Sequence, residues 1–286
     1  MNLHTRRTVV VSIASALAAG LPAPAVARDR GAAAAAGTTP LRLAHAHNDY
    51  AHPRPLLDAL DHGFGSVEAD IWLVGGHLLV AHEQSDLDPA RTLESLYLDP
   101  LRRRIHANGG SVYRGHRLSL QLLIDIKTAG AATYRALARV LHRYRDLLSG
   151  CTAGRVHGGP VTAVVSGDRA ARAPMEAERV RHAFYDGRPE DLGAAAPASF
   201  LPLVSVSWTD TFRWQGAGPM PQDERARLRQ LAAAAHAERR RLRFWATPDT
   251  AGPEREAVWR ALLDAGVDHL NSDDLPGLAS FLRATG

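Results

Sequence analysis

Short strand-like segments alternate with longer helix-like segments along most of this 286-residue chain. Because parallel strands must be joined by crossovers, usually helical, this alternation is typical of a parallel sheet covered by helices. The strand-like segments are 41–45, 66–73, 78–82, 120–126, 161–166, 203–208, 242–246 and 267–271, with a weaker one at 180–185. The helix-like segments are 55–62, 131–148, 222–241, 254–265 and 276–284. Their number and order predict an α/β fold, a TIM-type (β/α) barrel in a single domain.

The N-terminal segment is typical of an export signal. Arg6 and Arg7 precede an apolar run at 9–21, and small residues at 25–27 supply a cleavage site. The paired arginines also resemble a twin-arginine signal. An uncleaved anchor is the alternative. We predict a secreted protein with a signal peptide, a flexible alanine-rich lead-in and a barrel domain, at 1–27, 28–40 and 41–286.

Net charge and cysteine content bear on whether the protein binds nucleic acid and whether it can form a disulfide. Loss of the signal removes Arg6 and Arg7 and lowers the formal net charge of +4 by two. A nearly balanced chain gives no support to a nucleic-acid partner. The single cysteine, Cys151, excludes an internal disulfide.

Carboxylates occur within two of the strand-like segments. Glu68 and Asp70 are two residues apart on a strand, so both side chains point to one face. Two inward carboxylates repel each other unless a cation lies between them, and a divalent cation accepts oxygen ligands readily. Asp125, near the end of another strand, is a candidate third ligand. The alternative interpretation is ordinary alternation on a half-exposed strand.

Two histidines and one lysine also end strand-like segments. His45 and His82 each follow an apolar run, where a pair of imidazoles can act as general acid and base near neutral pH. Lys127 is the only lysine among 34 basic residues and lies two residues beyond Asp125. Its compact ammonium suits a phosphate oxygen, although a lone lysine also survives on an exposed strand end. Trp245 at another strand end is a candidate wall for an apolar part of a substrate, although packing under a helix is the common role.

Several motifs together resemble the phospholipase-C-like phosphodiesterase superfamily, which includes glycerophosphodiester phosphodiesterases and sphingomyelinase D. The closest resemblance is to the altered-inheritance-of-mitochondria family. It rests on H-x-H-N-D-Y, S-V-E-A-D-x-W-L, L-L-V-x-H and R-T-L-x-x-L-Y-L-D-P-L, at 45–50, 66–73, 78–82 and 91–101. The ending at 266–273 instead resembles the G-V-D-x-I-x-T-D ending of glycerophosphodiesterases. The resemblance implies a metal-dependent phosphodiesterase on a β/α barrel.

The resemblance also implies roles for individual residues. His45 and His82 would be the acid–base pair, and Lys127 and Asn48 would contact the phosphate. The metal, magnesium rather than calcium, would be held by Glu68, Asp70 and Asp125. Two features of the wider superfamily are missing: the H-R-G…P-E-N-T start of glycerophosphodiesterases, with its glutamate ligand, and the disulfide of sphingomyelinase D.

The sequence therefore predicts an exported phosphoric diester hydrolase. We expect a phospholipid-derived or glycerophosphodiester-like substrate, transient contact with a membrane surface and a monomeric chain. Two alternatives remain at this point. One is a non-catalytic barrel that binds a phosphorylated ligand; the other is a glycoside hydrolase, which would use two carboxylates and no metal.

Overall fold

The computed structural model describes residues 38–285, so the predicted signal peptide and nearly all of the predicted lead-in lie outside the described residues. Within that range the strands are β1 Leu41–Ala46, β2 Phe64–Val74, β3 His77–Val80, β4 Leu120–Ile126, β5 Gly150–Thr152, β6 Arg155–His157, β7 Val161–Gly167, β8 Val180–Arg181, β9 Phe184–Gly187, β10 Leu203–Ser207, β11 Arg241–Trp245 and β12 Leu270–Ser272. The α-helices are α1 Leu57–His62, α2 Asp99–Ala107, α3 Gly130–Arg143, α4 Arg172–Glu176, α5 Trp208–Thr211, α6 Gln222–Ala237, α7 Pro253–Asp264 and α8 Leu275–Thr285. No helix in this range is long and apolar enough to cross a membrane.

Eight parallel strands form a nearly closed barrel, which confirms the predicted fold. Their order is β11-β10-β9-β7-β4-β2-β1-β12. The two end strands meet through a single parallel bridge between Arg243 and His269. Strand β3 pairs antiparallel with the extension of β2. Gly75 and Gly76 form the two-residue turn of that hairpin, with φ values of 56° and 87° that favour glycine.

Helices connect most of the parallel strands, as the alternation predicts. The sequence predicts that 83–119 is an irregular insertion beside the active face, with a solvated helix face at the arginines of 102–104. The structure shows that this segment contains the crossover helix α2. Leu101 and Ile105 lie four residues apart on its buried face. The connection from β9 to β10 has a 3-10 turn at Pro189–Asp191 and no α-helix.

The apolar core is divided into two clusters. The large one fills the space between the strands and the surrounding helices. The small one comprises Leu123, Cys151, Val164, Phe184 and Leu203. Leu123 pairs in register with the inward-facing Glu68, so this small cluster lies inside the barrel. The next inward positions, two residues further along the strands, are the polar residues Asp125, Ser166, Asp186 and Ser205. The barrel is thus closed below by apolar side chains and lined with polar groups above.

Candidate active site

The carboxyl ends of the parallel strands surround a cavity of ≈ 250 Å³. Its walls include most of the residues predicted from the sequence: Asn48, Glu68, Asp70, His82, Asp125, Lys127 and Trp245. They also include residues that the sequence analysis missed: His47, Ser166, Arg188, Ser205 and Arg243. In a parallel barrel this is the end at which active sites are found.

Glu68 is fixed in the floor of the cavity by two partners on other strands. Its Oε2 lies 3.0 Å from Nε2 of His45 and 2.6 Å from Nη2 of Arg243. Arg243 also donates from Nε to Oδ1 of Asn271 at 3.0 Å. Burial alone would raise the pKa of Glu68, but the Arg243 guanidinium and the hydrogen bond from His45 outweigh it and hold that pKa well below its usual range. Glu68 is therefore ionised at every pH at which the protein is expected to work.

The two histidines of the first motif lie at different depths. His45 is 0% exposed, its Nδ1 lies 2.7 Å from the hydroxyl of Ser66, and it does not line the cavity. Burial and the nearby arginine lower the pKa of His45 to about 3, so the ring is neutral and donates to Glu68. His47, two residues further along the same strand direction, reaches the cavity wall, with Nδ1 2.7 Å from Oδ1 of Asp273. The sequence therefore predicts a catalytic histidine at His45, whereas the structure places His47 on the wall.

Asp70 joins three side chains at the rim. Its Oδ2 lies 2.6 Å from the hydroxyl of Tyr50, 3.2 Å from Nδ1 of His82 and 3.1 Å from Nζ of Lys127. The same tyrosine hydroxyl lies 2.6 Å from Oδ1 of Asn48 and 3.0 Å from the His82 ring. Tyr50 thus connects three of the predicted site residues, and its only sequence signal is its place in the first motif.

Lys127 lies between two carboxylates. Its Nζ is 3.0 Å from Oδ1 of Asp125 as well as 3.1 Å from Asp70. Burial, together with the charges of Glu68 and Asp70, raises the pKa of Asp125 to about 6 despite the lysine. The predicted pairing of Asp125 and Lys127 on one face of the strand agrees with this geometry.

The donor set of the site suits a hard divalent cation. The side-chain contacts of these three carboxylates within residues 38–285 use Oε2 of Glu68, Oδ2 of Asp70 and Oδ1 of Asp125, so each carboxylate retains a second oxygen. The second oxygen of Asp70 is buried and has no hydrogen-bond partner among residues 38–285. In the same range, however, no three His, Cys, Asp or Glu side chains already converge as a metal-binding group. The chemistry fits a metal, and a bound ion would require these side chains to move.

Asp49 holds the loop that carries Asn48 and Tyr50. Its carboxylate, 0% exposed, accepts a 2.6 Å hydrogen bond from the backbone N–H of Leu56 and a 2.9 Å bond from the hydroxyl of Tyr97. Leu56 has φ 64°, which is strained for a residue with a side chain. Burial raises the pKa of Asp49 to about 7, more than these two hydrogen bonds lower it.

The raised pKa of Asp49 predicts a pH-dependent stability difference. The folded state binds this proton more tightly than the unfolded chain, so the contribution of Asp49 to stability decreases as pH rises from about 4 to about 7. The Asp49→Asn variant should gain about 2–4 kcal/mol relative to the wild type between pH 4 and pH 8. Urea unfolding at both pH values measures this change, with Asp223→Asn on the exposed face of α6 as the control. A constant difference between the two proteins would contradict it.

The fold and the site together define a (β/α) barrel domain with a histidine–carboxylate–lysine site at the carboxyl ends of its strands. The chain belongs to the AIM6-like phosphodiesterase domain family, whose model matches residues 34–186. A second match, to the glycerophosphoryl diester phosphodiesterase family, covers residues 241–276. The resemblance inferred from the motifs is thereby confirmed.

Curated relatives support the same family. The chain is 31% identical over 282 residues to altered inheritance of mitochondria protein 6 of Eremothecium gossypii, covering 84% of this chain and 69% of that protein. It is 28% identical over 263 residues to a homolog from Arthroderma benhamiae, covering 84% and 83%. A solved glycerophosphoryl diester phosphodiesterase from Parabacteroides distasonis is 14% identical, with a TM-score of 0.49 over 86% of this chain and 87% of that one.

Proposed function

We propose that the protein hydrolyses phosphoric diesters. The observation that carries the proposal is a pair of histidines, each anchored through Nδ1 by a carboxylate, on the wall of one cavity. His47 is anchored by Asp273, and His82 by Asp70. In both rings this leaves Nε2 without a hydrogen bond among the described residues and free for proton transfer, with Oε1 of Glu83 at 3.6 Å from Nε2 of His82.

The two histidines divide the acid–base work. One Nε2 takes a proton from the attacking oxygen, either of water or of a substrate hydroxyl, and the other gives a proton to the departing alcohol. We propose that His47 has the substrate-side role that the sequence assigns to His45. His45 then acts as a positioning residue, since its hydrogen bond orients Glu68.

The remaining polar groups bind and orient the diester. Lys127 and Asn48 are proposed to contact the phosphoryl oxygens, and Trp245, which is 39% exposed, borders the alcohol portion. Glu68, Asp70 and Asp125 would hold a divalent cation, magnesium rather than calcium. Such an ion supplies Lewis-acid stabilisation of charge on the phosphoryl oxygens.

We further propose that the substrate is a phospholipid-derived or glycerophosphodiester-like molecule. It would be reached by a secreted monomer during transient contact with a membrane surface. The support is the phosphodiesterase family and the export signal predicted for residues 1–27.

Hydrolysis of bis(p-nitrophenyl) phosphate tests the proposed activity. Turnover should disappear in EDTA and return with magnesium or calcium. His82→Ala should lower kcat by about 10²- to 10⁴-fold, the usual contribution of a general acid or base. His106→Ala, at an exposed histidine on α2, is the matched control.

If turnover persists both in EDTA and in His82→Ala, this mechanism is excluded. If the wild type cleaves neither this diester nor a panel of glycerophosphodiesters, the activity itself is excluded. Calorimetry with the same panel would then show whether the barrel binds phosphorylated ligands without cleaving them.

A further inference from the structure

Arg188 lies on the cavity wall away from the histidines. It follows β9, and two strands, β4 and β7, separate β9 from β2. Asn48 follows β1 and Lys127 follows β4, so the proposed phosphoryl contacts lie nearer the histidines, whereas the guanidinium of Arg188 extends from β9 only as far as Ser166 on β7. Arg188 is therefore placed to contact another part of the substrate.

A buried carboxylate fixes the guanidinium of Arg188. Nη1 lies 2.8 Å from Oδ2 of Asp186, and Nη2 lies 3.3 Å from the hydroxyl of Ser166, which itself donates to Asp186 at 2.8 Å. Asp186 is 0% exposed, while the Arg188 side chain is 25% exposed. Burying an ion pair of this kind is weak as a means of stabilising a fold. The Asp186–Arg188 ion pair holds one edge of the guanidinium in place, and the other edge faces the cavity.

Unused hydrogen-bond donors remain on this wall. The contacts of Arg188 within residues 38–285 use Nη1 and one proton of Nη2, so Nε–H and the second Nη2 proton have no partner there. The hydroxyl of Ser205 lines the same cavity, is buried, and also has no partner in that range. Leaving a buried polar group such as the Ser205 hydroxyl unpaired is costly, so a ligand that accepts its hydrogen bond would recover free energy.

We propose that Arg188 and Ser205 form a second subsite for an anionic oxygen group, a carboxylate or a phosphate, on the alcohol portion of the diester. This inference rests on the proposed function and adds a substrate class to it. An arginine fork anchored along one edge presents parallel donors that match such a group. The preferred substrates would then be diesters whose headgroup carries its own negative charge.

Two matched pairs of substrates test the subsite. Glycerophosphoserine differs from glycerophosphoethanolamine by one carboxylate, and glycerophosphoinositol 4-phosphate differs from glycerophosphoinositol by one phosphate. In the wild type, kcat/KM should favour the charged member of at least one pair by about 10- to 100-fold, which is the range of hydrogen bonds to a charged group. The pair that shows the preference identifies the anion as carboxylate or phosphate.

Arg188→Gln should bring that ratio close to one. Because this variant leaves Asp186 buried without its cationic partner, the double variant Asp186→Asn/Arg188→Gln provides a neutral wall, and it should show the same lost preference. Arg169→Gln is the matched control: Arg169 bonds the backbone oxygen of Asp186 at 2.8 Å but does not line the cavity, so the preference should persist.

Three results would overturn the inference. The first is a wild type that shows no preference in either pair, and the second is a preference that survives in both Arg188 variants. The third is a loss of turnover in Arg188→Gln that is equal for both members of each pair. If the wild type cleaves no diester, the proposed function fails, and calorimetric affinities for the same pairs decide the subsite separately. A preference of at least tenfold in binding that Arg188→Gln removes would support it, and equal affinities would exclude it.

Discussion

Asp70→Asn is expected to lower kcat/KM for bis(p-nitrophenyl) phosphate by about 10³-fold. Asparagine keeps the size of the side chain and an oxygen acceptor for Tyr50. It removes the negative charge that pairs with Lys127 and His82 and that would face a bound cation. Loss of a charge that stabilises the transition state, together with weaker metal binding, accounts for that magnitude.

The measurement separates a chemical effect from a folding effect. Circular dichroism and the urea midpoint of Asp70→Asn should remain close to those of the wild type, because an isosteric amide fills the same space. Magnesium titration should show weaker activation in this variant. Asp223→Asn, at an exposed carboxylate, should retain full turnover. An Asp70→Asn enzyme within tenfold of the wild type would remove Asp70 from the site.

Arg243→Met should lower the free energy of unfolding by about 3–5 kcal/mol, the largest stability effect expected. Glu68 and Arg243 are both nearly inaccessible, with side chains 8% and 4% exposed, and they are joined at 2.6 Å. Removing the guanidinium leaves a buried carboxylate whose remaining partner, His45, is neutral. An uncompensated buried charge is far more costly than the loss of an exposed ion pair.

The double variant Glu68→Met/Arg243→Met provides the decisive comparison. Replacing both partners with apolar side chains should recover most of the stability, since neither charge is then left unpaired. It should nevertheless have no turnover, because the proposed metal ligand is gone. Urea unfolding of the two variants, with the exposed Arg229→Met as control, measures both expectations. Equal destabilisation by the single and double variants would show that the pair is not the cause.

The strand pattern could be predicted because it depends on local sequence. Period-two spacing correctly places Glu68 and Asp70 on one face, and Asp125 and Lys127 on another strand of the same wall. Depth was harder to predict. Strand β1 continues to Ala46, so His45 points into the closed interior and His47 is the residue that reaches the rim. Whether His45 or His47 reaches the rim depends on where the barrel ends, and no local sequence pattern predicts that position.

Site residues that come from distant parts of the chain are harder to predict from the sequence. Arg243 and Arg188 are two among many arginines, and only the strand order brings them to the cavity. The sequence predicts a solvated helix face for Arg102 to Arg104 but not the crossover role of helix α2, because only two buried residues, Leu101 and Ile105, flank these arginines. Tyr50 lies within the first motif, but its contact with His82 depends on a hairpin that positions β3 beside it.

The incomplete closure of the barrel links the stability of the protein to its proposed activity. Where β11 meets β12 the backbone provides one bridge, and the side chain of Arg243 connects both Asn271 on β12 and Glu68 on β2. The guanidinium therefore joins the two end strands and also neutralises the Glu68 carboxylate in the floor of the cavity. A substitution of Arg243 that strengthened this junction would also change the electrostatics of the proposed active site. A more heat-resistant variant of this protein is therefore better sought on the outer helices, where substitutions leave the cavity unchanged.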